Sequence, residues 1–178
     1  DIQAAKVYKN STYITLSTIC QKNGKWDEAA EYARLSYEHS LIPNYEKQAY
    51  FERLANIYGA SRDSLRAIAA IDSLISTLPL NNDQKRYDAL LVISDTYKNI
   101  GNYQAALRIF EQIDTLQAQK KPGEWALRGL TEARLGKHAE SVAHYNTYLD
   151  FLQQNTYKRK LNISLGQIAL GEVYLWAD

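Results

Sequence analysis

Few residues in this chain are of a kind that does covalent or metal chemistry, and their spacing keeps them apart. Cys20 is the only cysteine, which excludes an internal disulfide. His39, His138 and His144 form no pair at a helical ligand spacing, and no cysteine or carboxylate completes a metal set beside them. The chain has no phosphate-binding glycine loop, no nucleophile elbow and no paired-acid constellation. Catalytic, cofactor and metal sites are therefore expected to be none, and an enzyme or metal protein is the minor alternative. Asn10-Ser11-Thr12 and Asn162-Ile163-Ser164 match the N-glycosylation acceptor, but both fall in helical sequence. Asp63-Ser64-Leu65, Asp72-Ser73-Leu74 and Asp114-Thr115-Leu116 resemble a short O-glycosylation signal of Bacteroidetes, and these too read first as helix sequence.

What remains is recognition chemistry. Lysine and arginine number 21 against 20 aspartates and glutamates, so no basic stripe marks a nucleic-acid binder. Lys158-Arg159-Lys160 is the sole basic cluster and reads as a solvated helix start. Apolar runs such as 89–93 are too short for a membrane span. A start at Asp1 and the lack of methionine point to a processed protein or an excised domain. The 14 tyrosines are in excess. Tyr13, Tyr58, Tyr97, Tyr145 and Tyr148 fall at core positions, whereas Tyr32, Tyr37, Tyr50 and Tyr87 are not fixed by any pattern. Partial burial between neighbouring units is the expectation for these four, with rigid contacts to a partner as the alternative.

The elements that must position such residues are legible from a repeat. Four times a small residue is followed seven positions later by a turn, and five further on by another small residue. The first sites are Ser17, Ala55, Ser94 and Gly129; the second are Ala29, Ala67, Ala106 and Ser141. Gly24, Gly101 and Gly136 stand at one point of three turns, and Arg62 holds that point in the other. Small residues let two antiparallel helices cross closely, and large ones at offsets of three, four and seven fill the space around them. The large series includes Tyr13, Phe51, Leu90 and Trp125 before the first site, with Phe110, Ile113, Tyr145 and Tyr148 after the second. Arg128 and Glu132 break it in the fourth unit. Self-similarity at this period predicts an all-α solenoid of stacked helix pairs.

The sequence resembles the tetratricopeptide repeat family. The resemblance rests on Leu54-Ala55 with Tyr58, Ala67 and Pro79, on the stretch from Tyr97 through Gly101-Asn102-Tyr103 to Phe110, and on Trp125, Gly129, Gly136 and Tyr145. It implies an α-α superhelix of about four pairs in a single domain over 1–178, with repeats near 10–43, 48–81, 87–120 and 122–155. A C-terminal helix at 157–177 would cap the solenoid or begin a truncated repeat. Its all-round apolar character would suit further protein or self-association. The steps between second small sites exceed the family's thirty-four residues, which predicts longer second helices or longer inter-repeat loops. Pro43-Asn44, 79–83 and Lys121-Pro122-Gly123 suit such loops.

The resemblance further implies a groove along the first helices that takes an extended peptide or a partner helix. Carried over position by position, its candidate residues are Thr18, Gln21 and Lys22, Glu52 and Asn56, Asp88, Asp95, Lys98 and Asn99, and Arg134. The carboxylate clamp of chaperone-binding members is absent, since Ile14, Thr18, Asp88 and Val92 hold clamp positions. Glu52, Asp88 and Asp95 disfavour a carboxylate terminus as ligand, and a mixed or basic segment fits better. The expected function is non-catalytic binding of a protein or peptide partner. The alternative is the sensor part of a membrane-anchored bacterial regulator or kinase, because the degenerate, tyrosine-rich repeats resemble extracytoplasmic repeats of Bacteroidetes. That analogy favours an extracytoplasmic over a cytoplasmic location.

Overall fold

The computed structural model of the chain describes residues 2–41 and 43–154, all of them helix, turn or short connection. The expected C-terminal helix at 157–177, its basic cluster, the Asn162 acceptor and any self-association through that helix lie outside the described residues. Eight helices run in order: α1 (Ile2–Lys22), α2 (Trp26–Glu38), α3 (Pro43–Ala60), α4 (Ser64–Ile75), α5 (Asp83–Asn99), α6 (Tyr103–Ile113), α7 (Pro122–Arg134) and α8 (His138–Gln154). They form four antiparallel pairs, each closed by one of the repeated turns. This is the helical solenoid that the repeat predicts.

Every small-residue site is buried. Where one of the two partners is a serine, its hydroxyl also ties the crossing together. Ser17 Oγ donates to the Ala29 carbonyl at 2.7 Å, Ser94 Oγ to the Ala106 carbonyl at 3.4 Å, and Ser141 Oγ to the Gly129 carbonyl at 2.7 Å. A hydroxyl buried at the crossing thus has its partner on the facing helix, so burial leaves it satisfied. The fourth crossing leaves no room for a side chain at its first site. A Cβ at Gly129 would lie 2.9 Å from two ring atoms of Tyr145 and 3.3 Å from the Ser141 carbonyl.

The turns share one backbone geometry. Gly24, Gly101 and Gly136 have φ of +71°, +81° and +73°, and Arg62 adopts +58° at the equivalent point. In each, two N–H groups fold back onto the last-turn carbonyls: Gly24 N to Gln21 O and Lys25 N to Cys20 O, and likewise Arg62 N to Gly59 O and Asp63 N to Tyr58 O. Orphan carbonyls at the end of each first helix are thereby paired. Asp63 and Asn102 then cap the next helices by accepting from Arg66 N and Ala105 N, and Asn82 caps α5 through Lys85 N.

The extra repeat length goes into connections at 76–82 and 114–121 and into long first helices; α4 and α6, at 12 and 11 residues, are short. Pro43 and Pro122 do not sit in loops as the sequence suggested. Each is the first residue of its helix, where a missing N–H costs nothing.

The apolar interior is divided along the stack. Cys20, Ala29, Ala33 and Ile57 form one cluster between the first two pairs, with Trp26, Tyr32 and Tyr50 against it. The largest, between the second and third pairs, contains Ile71, Leu74, Tyr87, Leu90, Ile93, Phe110 and Ile113. Ala133 and Tyr145 hold the fourth pair. Asn10, one of the glycosylation triplets, is occupied instead in structure: its amide donates to the Ser36 carbonyl and to Glu46, each at 3.1 Å.

Two series of variants test these local causes by urea denaturation. Gly24→Ala is expected to cost about 1 kcal/mol, because no side chain is crowded there and only the left-handed backbone is strained, whereas Arg62→Gly should raise stability by up to about 1 kcal/mol. Gly129→Ala, which instead meets a buried ring, should cost about 1–3 kcal/mol despite alanine's better helix propensity.

Candidate functional site

The first helices of pairs two, three and four share a face that is hollowed at three levels. At the first level Gln48, Ala49 and Glu52 of α3 meet Lys85 and Asp88 of α5 around about 200 Å³. At the middle level a space of about 370 Å³ is lined by Asn56, Leu91, Val92, Asp95, Lys121, Glu124 and Leu127. At the turn end Arg62, Lys98, Asn99, Tyr103, Leu130 and Arg134 surround the largest hollow, about 580 Å³, floored by Gly59 and Ala60. Helical periodicity explains the alignment: positions three, four and seven apart share a face, so Glu52, Asn56 and Gly59 follow one another down α3, as Asp88, Asp95 and Lys98 do down α5.

Seven of the ten sequence-derived candidates line these hollows: Glu52, Asn56, Asp88, Asp95, Lys98, Asn99 and Arg134. Thr18, Gln21 and Lys22 do not; they stand on α1, where Thr18 Oγ1 donates to the Ile14 carbonyl at 3.0 Å. The separation follows from how the pairs stack. Helix α3 lies along α5, whereas the first pair reaches the second chiefly through α2 against α3. Arg62, Lys121, Glu124 and Leu127 belong to the lining but were not among the candidates. The irregular glycine position was the one sequence signal that pointed to Arg62.

Several lining groups are already paired. Asp95 accepts from Lys98 Nζ at 2.6 Å and from Asn99 Nδ2 at 3.2 Å, so these three form one tie on α5. Asp88 accepts from Gln84 at 3.3 Å and faces Lys121 Nζ at 2.8 Å, and Glu52 accepts from Gln48 at 2.8 Å. Among the described residues no group of three His, Cys, Asp or Glu side chains is placed to hold a metal ion, and no helix is long and apolar enough to cross a membrane.

Residues 87–120, which span α5, α6 and the connection after them, match the tetratricopeptide repeat model. The chain is thus a helical solenoid of tetratricopeptide type in its fold, with one of its repeats matched in sequence. The crystal structure of MamA protein shares the fold, with a TM-score of 0.54 over 94% of this chain and 87% of that one, at 15% identity. No curated protein sequence matches the chain. Tetratricopeptide repeats generally mediate protein–protein interaction, and their fold is typically a non-catalytic scaffold.

The fourth repeat departs from the pattern of the other three at Arg128 and Glu132, and the structure supplies the reason. The two side chains face each other at 3.4 Å. Arg128 also reaches Asp114 at 2.8 Å and lies over the Phe110 ring, while buried Glu132 accepts a 2.7 Å contact from His144 Nδ1. Asp114 in turn binds Lys120 at 2.9 Å, Lys120 reaches buried Glu124 at 3.2 Å, and Glu124 accepts from the Tyr87 hydroxyl at 2.9 Å. The Lys121 N–H donates to that hydroxyl at 2.5 Å. Tyr87, which no pattern assigned, is thus fully buried and joins α5 to the start of α7. A continuous polar chain therefore runs beside the apolar contacts of Leu127 and Leu135 between the third and fourth repeats and fixes Lys121 and Glu124 at the edge of the middle hollow.

Asp114 gives this chain a pH signature. Partial burial pushes its carboxyl up, but hydrogen bonds from Lys120 and Arg128 outweigh it and hold the group below its ordinary value of 3.8. A depressed carboxylate adds stability above the unfolded value, and that contribution is lost as pH falls through the folded one. The stability difference between the native chain and Asp114→Asn should therefore be full at neutral pH and shrink below about pH 4, as read by urea denaturation across that range.

Proposed function

We propose that the protein binds a peptide segment or a helix of a partner protein along the face shared by α3, α5 and α7, without catalysis. The observation that carries this reading is the alignment of the three hollows. They follow one line of helical positions, they alternate polar and apolar lining, and Leu91, Val92 and Leu127 at the centre offer an apolar seat flanked by Asn56 and Asp95. Such a seat suits an apolar anchor side chain, while flanking amides and carboxylates select what surrounds it. A partner segment would cross from the second repeat to the fourth, and the first repeat would serve mainly to brace α3.

The reading is tested by selecting binders from a displayed random dodecapeptide library on the full chain, then mapping them by hydrogen–deuterium exchange. Protection is expected in α3, α5 and α7. Leu91→Glu, which introduces a charge into the apolar seat, should weaken the selected peptides at least about ten-fold. Protection confined to α4 and α6, or a library that yields no binder, would overturn the assignment.

A further inference from the structure

The first helix has a face that the solenoid does not use. Ser17 crosses α2 at Ala29, which sets Glu38, the last residue of α2, level with Tyr8. Asn10 fits the same register, since its amide reaches the Ser36 carbonyl of α2 and Glu46 of α3. Residues on the opposite side of α1 therefore point away from the later repeats, at the open end of the stack. There Tyr8, Thr12, Thr15, Ile19 and Lys22 follow one another at alternating steps of four and three, all of them exposed. That spacing is the seam along which two helices pack side by side at a shallow angle.

Three features set this face apart from a solvated one. The first is apolar exposure on a single helix: Tyr8 is 74% exposed, Val7 53% and Ile19 48%. The second is the use of threonine, a poor helix former where water is the only neighbour. Thr12 Oγ1 donates to the Tyr8 carbonyl at 2.8 Å and Thr15 Oγ1 to the Ser11 carbonyl at 3.0 Å, so both hydroxyls are spent within α1 and ask nothing of a covering surface. The third is charge. Helix α2 shows how this chain builds a solvated face, with Lys25 paired to Glu28 and Arg34 held between Glu31 and Glu38. Helix α1 carries Lys6, Lys9 and Lys22 and no acidic residue, and none of the three lysines is ion-paired among the described residues.

These charges decide what can cover the face. A second copy brought on through its own α1 would set lysine against lysine. A helix with carboxylates beside its apolar stripe would meet Lys9 near one end of the seam and Lys22 at the other. We propose that the outer face of α1 docks an amphipathic helix of a partner protein whose apolar stripe is flanked by aspartate or glutamate. From Tyr8 to Lys22 the seam is about 21 Å long, so the docked helix needs roughly two heptads. Tyr8 and Ile19 supply the apolar contacts, and Thr12 and Thr15 between them leave a low centre where the two backbones approach. The site is separate from the groove on α3, α5 and α7, and it gives a role to Lys22, which lines none of the three hollows.

Two synthetic helical peptides of about eighteen residues test this by fluorescence anisotropy on the full chain. They share one leucine–alanine stripe, flanked by glutamate in the first and by lysine in the second. The glutamate peptide should bind at least about ten-fold more tightly, with the margin shrinking at high salt. Ile19→Glu should weaken it about ten-fold, and the combined Lys9→Glu, Lys22→Glu variant should reverse the preference between the peptides. These substitutions fall at exposed positions, so the fold is kept. Leu91→Glu, in the groove, should leave the glutamate peptide unaffected, and hydrogen–deuterium exchange should show protection along α1. Equal binding of the two peptides, binding of neither, or protection confined to α3, α5 and α7 would overturn the docking face while leaving the groove reading to its own test. A dimer of the full chain in sedimentation that Ile19→Glu dissolves would also overturn it, in favour of a second copy as the occupant.

Discussion

Two helices can cross closely only where neither carries bulk at the point of contact, and this constraint orders the rest of the molecule. Ser17 with Ala29, Ala55 with Ala67, Ser94 with Ala106 and Gly129 with Ser141 are all buried at that point. Once the crossing is fixed, the residues three, four and seven positions away are committed to the interior, and their opposites to the exposed face. The left-handed turn between each pair sets the crossing's register, because it ends one helix and caps its last carbonyls before the next begins. Serine adds direction to what alanine achieves by size alone.

Because each pair buries its apolar face against its neighbours, the interior is a chain of clusters and not a single core. The junction of the third and fourth repeats is different in kind. There the charged pair Arg128–Glu132 stands where its relatives in the other repeats are apolar, and the connected groups from Tyr87 to His144 satisfy it. A buried carboxylate left without partners would be strongly destabilising, so the network has to be complete to be tolerated. Its geometry holds the start of α7 against α5 and so shapes the middle of the groove.

Charge sorting along that groove follows from the same register. A face defined every three or four residues runs along the helix, so its two ends are chemically independent. In α3 and α5 the early positions carry Glu52 and Asp88 beside Lys85, while the turn ends bring together cations from three repeats. A surface of nearly balanced net charge can in this way be strongly polar locally.

The pairing of helices, the turn geometry and most of the inward-facing residues were legible in the sequence. Close crossing and left-handed turns are local demands, and each is written within a dozen residues by Ser, Ala and Gly in fixed positions. Seven of the ten candidates line the hollows for the same reason, since their face follows from the crossing. Thr18, Gln21 and Lys22 were carried along by the repeat register, but register says nothing about the angle between successive pairs. That angle is set by packing of α2 on α3, α3 along α5 and α6 on α7, which differs at every junction. Tertiary structure alone therefore decided that Tyr87 is buried against Glu124, that Arg128 reaches Asp114, and that Arg62, Lys98 and Arg134 meet at one hollow. These contacts join residues from separate helices and repeats. Nothing within one repeat specifies them, because their distances depend on how whole pairs stack.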